Sequence, residues 1–266
     1  MGILNHLQSY WSWLTTDPVG FIVYVAYFAV SILAALILHE VGHAFAAYRC
    51  GDPTAKMLGR LSLNPLKHLD PLGTACMVLL GFGWAKPVPV NPRNFSNYRR
   101  DDFLVSVAGI TVNFTLFLLS LALAVGLNGL LWRPEVIADK GGAREFLASD
   151  GIGFHVLTHN LGPYYQQFML HPWVQYIQRF LLLFAYMNLA LAIFNLMPFP
   201  PLDGFHIFND ILLGGRLTLN RQAFQIAQMV LMVVCFTGVL GNILGFLNNA
   251  VEDAVLNLFL LMVGKA

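Results

Sequence analysis

Charge is what this chain has least of. Lys, Arg, Asp and Glu make up 11% of its 266 residues, while 57% are hydrophobic. A soluble domain carries roughly 25% charged residues. Half that fraction leaves too little polar surface to coat a water-soluble particle, so a chain with several membrane spans is expected. The formal net charge of +1 leaves no basic excess to meet phosphates, which argues against nucleic acid as a partner. Cysteine is also sparse. Cys50, Cys76 and Cys235 form no C-x-x-C pair, so neither a disulfide framework nor a cysteine zinc site is expected. No Lys or Arg precedes Arg49, so the first apolar stretch lacks the positive flank of a cleavable signal. There is no internal repeat and no low-complexity linker.

What is present is a series of long apolar runs. Residues 1–18, with Tyr10, Trp11 and Trp13, read as an interfacial segment with aromatic anchors. Residues 19–50 form the first span, broken in character only by His39, Glu40 and His43. Residues 51–102 are rich in Gly, Pro, Asn and basic side chains, and their one apolar patch, 75–82, is too short to cross a bilayer. A second span follows at 103–131, then a mixed loop at 132–176. The segment 178–213 combines a third span with a proline-rich stretch, and 223–248 is a fourth span. The tail at 251–264 is apolar enough to lie in the interface or enter the membrane in part. The whole reads as one domain over 1–266: an all-α polytopic membrane protein of four to six transmembrane helices, with a small irregular or β-containing membrane-associated insertion.

Positive charge orients it. The 49–102 region holds Arg49, Lys56, Arg60, Lys67, Lys86, Arg93, Arg99 and Arg100. The 132–176 loop holds Arg133, Lys140 and Arg144, balanced by Glu135, Asp139, Glu145 and Asp150. Residues 51–102 and 214–222 should therefore face the cytoplasm, with 132–176 on the opposite side.

His39-Glu40-Val41-Gly42-His43 matches H-E-x-x-H. Histidines at i and i+4 of a helix share one face, and both can reach one Zn²⁺. Glu40 is placed to take a proton from a zinc-bound water. Ionisable groups inside an apolar span are costly unless partnered or functional, which favours a site over helix-end residues reaching for water. Two histidines leave the ion short of a third protein ligand. Asp203 follows Pro198, Pro200 and Pro201, which have no backbone N–H to donate. Non-helical backbone at membrane depth survives only where it is buried in protein or lines a wet cavity. Asp203 is the candidate third ligand, with a plain helix cap as the competing reading and Asp210 as the reserve.

These motifs together resemble the site-2 protease family of zinc intramembrane proteases, in its compact prokaryotic branch. H-E-V-G-H sits on an apolar helix, and Asn195 opens N-x-x-P-x-P-x-L-D-G far downstream. Between them, the stretches Asn64–Thr74 and Gly83–Pro92 also match, so the likeness covers nearly all of 20–215. The resemblance implies one Zn²⁺ per chain held by His39, His43 and Asp203, with Glu40 as catalytic base. It implies that Asn195 and Asn113 grip the substrate backbone. At Ala108-Gly-Ile-Thr-Val-Asn113, however, Ile110 stands where the family often has proline. The implied partners are a transmembrane protein substrate and the lipid bilayer; a second copy of the chain or a regulatory membrane protein is left open. The implied location is a prokaryotic cell membrane with the active site toward the cytoplasm.

In Lys86-Pro-Val-Pro-Val-Asn-Pro92, proline alternates with valine. As an extended strand it keeps donors on one edge only, those of Val88 and Val90. That edge could pair with an unwound substrate, or the stretch could be a plain connector. His155 and His159, with His171 nearby, read as interfacial side chains. Two other functions stay open: a membrane metalloprotease acting on soluble or lipid-modified chains, and a non-catalytic zinc-binding membrane protein.

Overall fold

The computed structural model describes residues 3–71, 73, 85–217 and 219–264. Seven long helices organise them: α1 (Ile3–Thr16), α2 (Pro18–Arg49), α3 (Tyr98–Leu131), α4 (Val174–Leu196), α5 (Asp203–Leu212), α6 (Arg221–Thr237) and α7 (Val239–Met262). Four of these, α2, α3, α4 and α7, are long and apolar enough to cross a membrane. The chain is an all-α, multi-span membrane protein.

Local chemistry sets the helix starts. Pro18 opens α2, where its missing N–H costs nothing, and Asp17 accepts the Gly20 N–H at 2.9 Å. Ahead of α3, the Asn97 side chain accepts the Arg100 N–H at 3.2 Å and Asp101 accepts the Asn97 N–H at 2.8 Å. The sequence places a span at 223–248. In the structure that region is two helices separated by Gly238, which takes a left-handed φ of 75°. Of the two, α7 meets the length and hydropathy of a span, and its 24 residues take in most of the 251–264 tail.

The described residues form two compact units. One comprises 33–114 and 191–244, after the first residues of α1; the other comprises 7–32, 115–190 and 245–266. In the second unit Phe117, Leu121, Trp132, Leu147, Leu157, Leu183, Leu189 and Leu256 form a closed apolar core. The 132–176 loop belongs to it, built from short helices and closed by an isolated bridge between Trp132 and Met169. The end of α7 is tied to that loop. Arg144 donates to Asp253 at 2.8 Å, and the Ser149 hydroxyl donates to Glu252.

No strand forms among the described residues. The expected β-containing insertion is reduced to a single bridge, Leu69 to Ala85. The reason lies in where the donors go. The Lys86 N–H to the His68 carbonyl, at 2.8 Å, belongs to that bridge, but beyond it Val88 N–H goes to the Glu40 carboxylate at 2.8 Å and Asn91 N–H to the Asp52 carboxylate at 2.7 Å. Side chains take the bonds that a partner strand would otherwise receive. The apolar patch at 75–82 lies outside the described residues.

Candidate metal centre

The centre lies in the first unit, where α2 and α3 approach closely. A side chain at Gly42 would sit 3.0 Å from Val112 and 3.4 Å from the Ala108 carbonyl. Small residues at a helix contact let backbones come this near. One turn along, Gly109 faces both imidazoles. A Cβ there would lie 2.5 Å from His43 Nε2 and 2.6 Å from His39 Cε1, so only glycine leaves room for the two rings.

The Val105 carbonyl on α3 accepts a hydrogen bond from His43 Nδ1 at 2.8 Å. That bond fixes the tautomer and turns the Nε2 lone pair inward. His43 Nε2 is 2.9 Å from His39 Nε2 and 3.2 Å from Asp203 Oδ2, and His39 Nε2 is 3.3 Å from the same oxygen. Ligands held ~2.0–2.1 Å from a tetrahedral zinc lie about 3.3 Å from one another. The three atoms thus have the spacing of one face of such a site. With His43 Nε2 carrying a lone pair and Asp203 a carboxylate, acceptors converge, an arrangement that repels itself unless a cation lies between them. The donor set, two imidazoles and a carboxylate, suits zinc. Among the described residues this is the only such convergence of three ligand side chains.

Glu40, between the two histidines, accepts the Val88 N–H at 2.8 Å. The 85–91 segment therefore comes to the site, with Val88 bonded to the candidate base. Val90 N–H makes no hydrogen bond among the described residues. The segment is anchored at both ends, by Arg60 on the Lys86 carbonyl at 2.6 Å and by Asp52 on Asn91. Asn113, one turn beyond Gly109, is fully buried with both side-chain amide atoms unpartnered. Asn195 donates back to the Leu191 carbonyl of its own helix at 3.0 Å. Asp210 stands apart from the metal set. Burial, and then the neighbouring Asp102 carboxylate, push its carboxyl up to about 6. His155 and His159 pack on each other with ring centres 3.9 Å apart, and Trp13 stacks on His159.

Three contributors escape a reading of the sequence. Gly109 lies inside the A-G-x-x-x-N stretch, yet its steric reason needs the two rings in place. Asp52 reads only as a helix end. His68 reads as a loop residue, but it is buried and holds the insertion through Ser62 and Lys86.

Residues 27–238, which contain every residue of this centre, match the family model described as peptidase family M50. The chain belongs to peptidase family M50. YwhC of Bacillus subtilis, named as a zinc metalloprotease, is 34% identical over 233 residues, covering 88% of this chain and 90% of its own. Rip2 of Mycobacterium tuberculosis, with the same designation, is 28% identical over 84% of this chain and 73% of its own. Rip2 of Mycolicibacterium smegmatis is 34% identical over 46% of this chain and 49% of its own. No solved structure matches the chain. Membership of family M50 bears out the site-2 protease resemblance drawn from the motifs.

Proposed function

We propose that this M50 member is a zinc-dependent endopeptidase that cleaves membrane-spanning proteins within or near the bilayer. The observation that carries the reading is the convergence of His39, His43 and Asp203 at 2.9–3.3 Å, with two of the three on a helix apolar enough to span a membrane. His39, His43 and Asp203 would hold the ion. Bound there, zinc would polarise a scissile carbonyl and bring the pKa of a water toward ~7. Glu40 is the base: its carboxylate takes a proton from the attacking water and returns it to the leaving amine. The Val88 N–H on Glu40 Oε2 fixes the carboxylate's direction.

A helical substrate hides its peptide bonds behind its own hydrogen bonds, so the substrate has to unwind. The backbone donor of Val90 is assigned to the edge it meets, beside Val88, whose own N–H is already given to Glu40. The buried, unpartnered amide of Asn113 fits a grip on a substrate peptide group, and Asn195 is assigned the same role after release from Leu191. The basic excess over 49–102 sets the active site toward the cytoplasmic side.

The test pairs zinc content with cleavage of a membrane-spanning substrate. Glu40→Gln keeps about one zinc per chain and loses proteolysis, because glutamine keeps the shape and takes no proton. Asp203→Ala and His43→Ala lose both. Full zinc and activity in Asp203→Ala would refute the ligand assignment.

A further inference from the structure

The helix that carries Asp203 has little of its own to hold it. It is ten residues long, and Leu202 before it offers no side-chain cap. Pro198, Pro200 and Pro201 upstream have no N–H to donate. Its position must come from neighbours, and each is visible. On one side Gly204 lies against the end of α4, where a Cβ would meet the Leu196 carbonyl at 2.2 Å. At the far end Arg99 Nε donates to the Asp210 carbonyl at 2.6 Å. Between them, His206 Nδ1 lies 3.1 Å from Asp102 Oδ2. Asp102 lies near the start of α3 and is only 9% exposed; its carboxylate meets His206 and also lies against the Asp210 carboxyl. A buried carboxylate is costly unless partnered, so the pairing is built for a purpose. His206 follows Asp203 by three residues and shares its helix face. Holding His206 sets the rotation of α5, and with it the direction of Asp203.

We infer that Asp102 is a positioning residue of the metal centre, acting through His206 to aim Asp203. This gives α3 a common role toward all three ligands. Val105 orients His43, Gly109 admits both rings, and Asp102 sets the third ligand from the other side. The groups facing His206 are Asp102, Asp203 and Asp210, with Arg99 near the same end of the helix. The inference rests on His39, His43 and Asp203 being the metal set.

The test uses the full-length purified protein. Zinc affinity is measured by chelator competition, and the cobalt-substituted form is followed by its visible spectrum, which reports ligand geometry without requiring activity. Asp102→Ala and His206→Ala each weaken zinc binding by about 10–100-fold, the usual range for a group behind a ligand. The double variant is no worse than the weaker single one, because both act through one contact. Asp102→Asn keeps an acceptor oxygen and falls between wild type and Asp102→Ala. The cobalt bands change in all of them, and the exposed Asp139→Asn leaves affinity and spectrum unchanged. If Asp102→Ala does not fold, Asp102→Asn and His206→Gln carry the same comparison. Wild-type zinc affinity and cobalt bands in the folded variants, even with a lowered Tm, would make Asp102 merely structural and overturn the inference. So would single losses that multiply in the double variant. His43→Ala separates the two layers. If it keeps its zinc, the metal set itself is wrong; if it loses zinc while Asp102→Ala does not, only the positioning role fails.

Discussion

His39, Glu40 and His43 could be singled out from the sequence because they lie within about one helical turn, where spacing alone fixes a shared face. Gly109 could not, because its role is to be empty. The atoms that require this are imidazole carbons and nitrogens of residues about seventy positions away, at 2.5–2.7 Å from where a Cβ would be. Gly109→Ala is expected to push the rings apart and reduce zinc content well below one per chain, with an overpacking cost of about 1–3 kcal/mol in stability. Metal analysis of the purified variant checks this. Zinc at the wild-type level would mean that the rings yield without cost. Asn113 is legible only in part. The motif flags it, but burial with both amide atoms unpartnered is a property of the packed helices.

The 85–91 segment shows the same division among the elements. Alternating Pro and Val announces a one-sided strand, since proline cannot donate. The sequence does not say which acceptor meets the intact edge, and the answer is Glu40, 48 residues earlier. Val88→Pro removes that donor. A hydrogen bond to a charged group contributes ~1.5–3 kcal/mol, so kcat/KM should fall about 10–100-fold with zinc retained. Pro87→Ala should be mild, and equal small effects from both would make the segment a passive connector. The anchor of this segment also sets a pH limit. Burial raises the Asp52 carboxyl, but hydrogen bonds from Asn91, Thr54 and Asn94 outweigh it and hold it below the ordinary range. A lowered folded-state pKa stabilises above the unfolded value of about 3.9 and is lost as pH falls through the folded value. Amide protection at 52–60 and 91–94, taken relative to the intrinsic exchange rate at each pH, should therefore hold down to pH of about 4 and fall below it. Asp52→Asn should exchange faster already at neutral pH; wild-type protection in that variant would remove Asp52 as the anchor.

For the molecule as a whole, the prediction concerns sidedness. With Cys50, Cys76 and Cys235 replaced, a cysteine at the exposed Ser96 should react with an impermeant reagent from the cytoplasmic side only. One at Asp139, whose side chain is 73% exposed, should react from the opposite side only. Reaction of both from one side would break the charge-based orientation. Composition determined that this chain lives in a membrane, and the length of its apolar runs made the spans helical, because in hydrocarbon every backbone group must be satisfied within the span or in a closed barrel, and barrel strands are only about 9–11 residues long. Local spacing singled out the candidate ligand pair and the candidate base. The tertiary structure decided where the last apolar segment breaks, because Gly238 and Glu252 act through a left-handed turn and a contact with Ser149 that no periodicity reveals. It also decided that Asp203 rather than Asp210 meets the histidines. Both acids lie on one short helix. The choice between them is made by how α5 is rotated against α3, a matter of packing between segments a hundred residues apart.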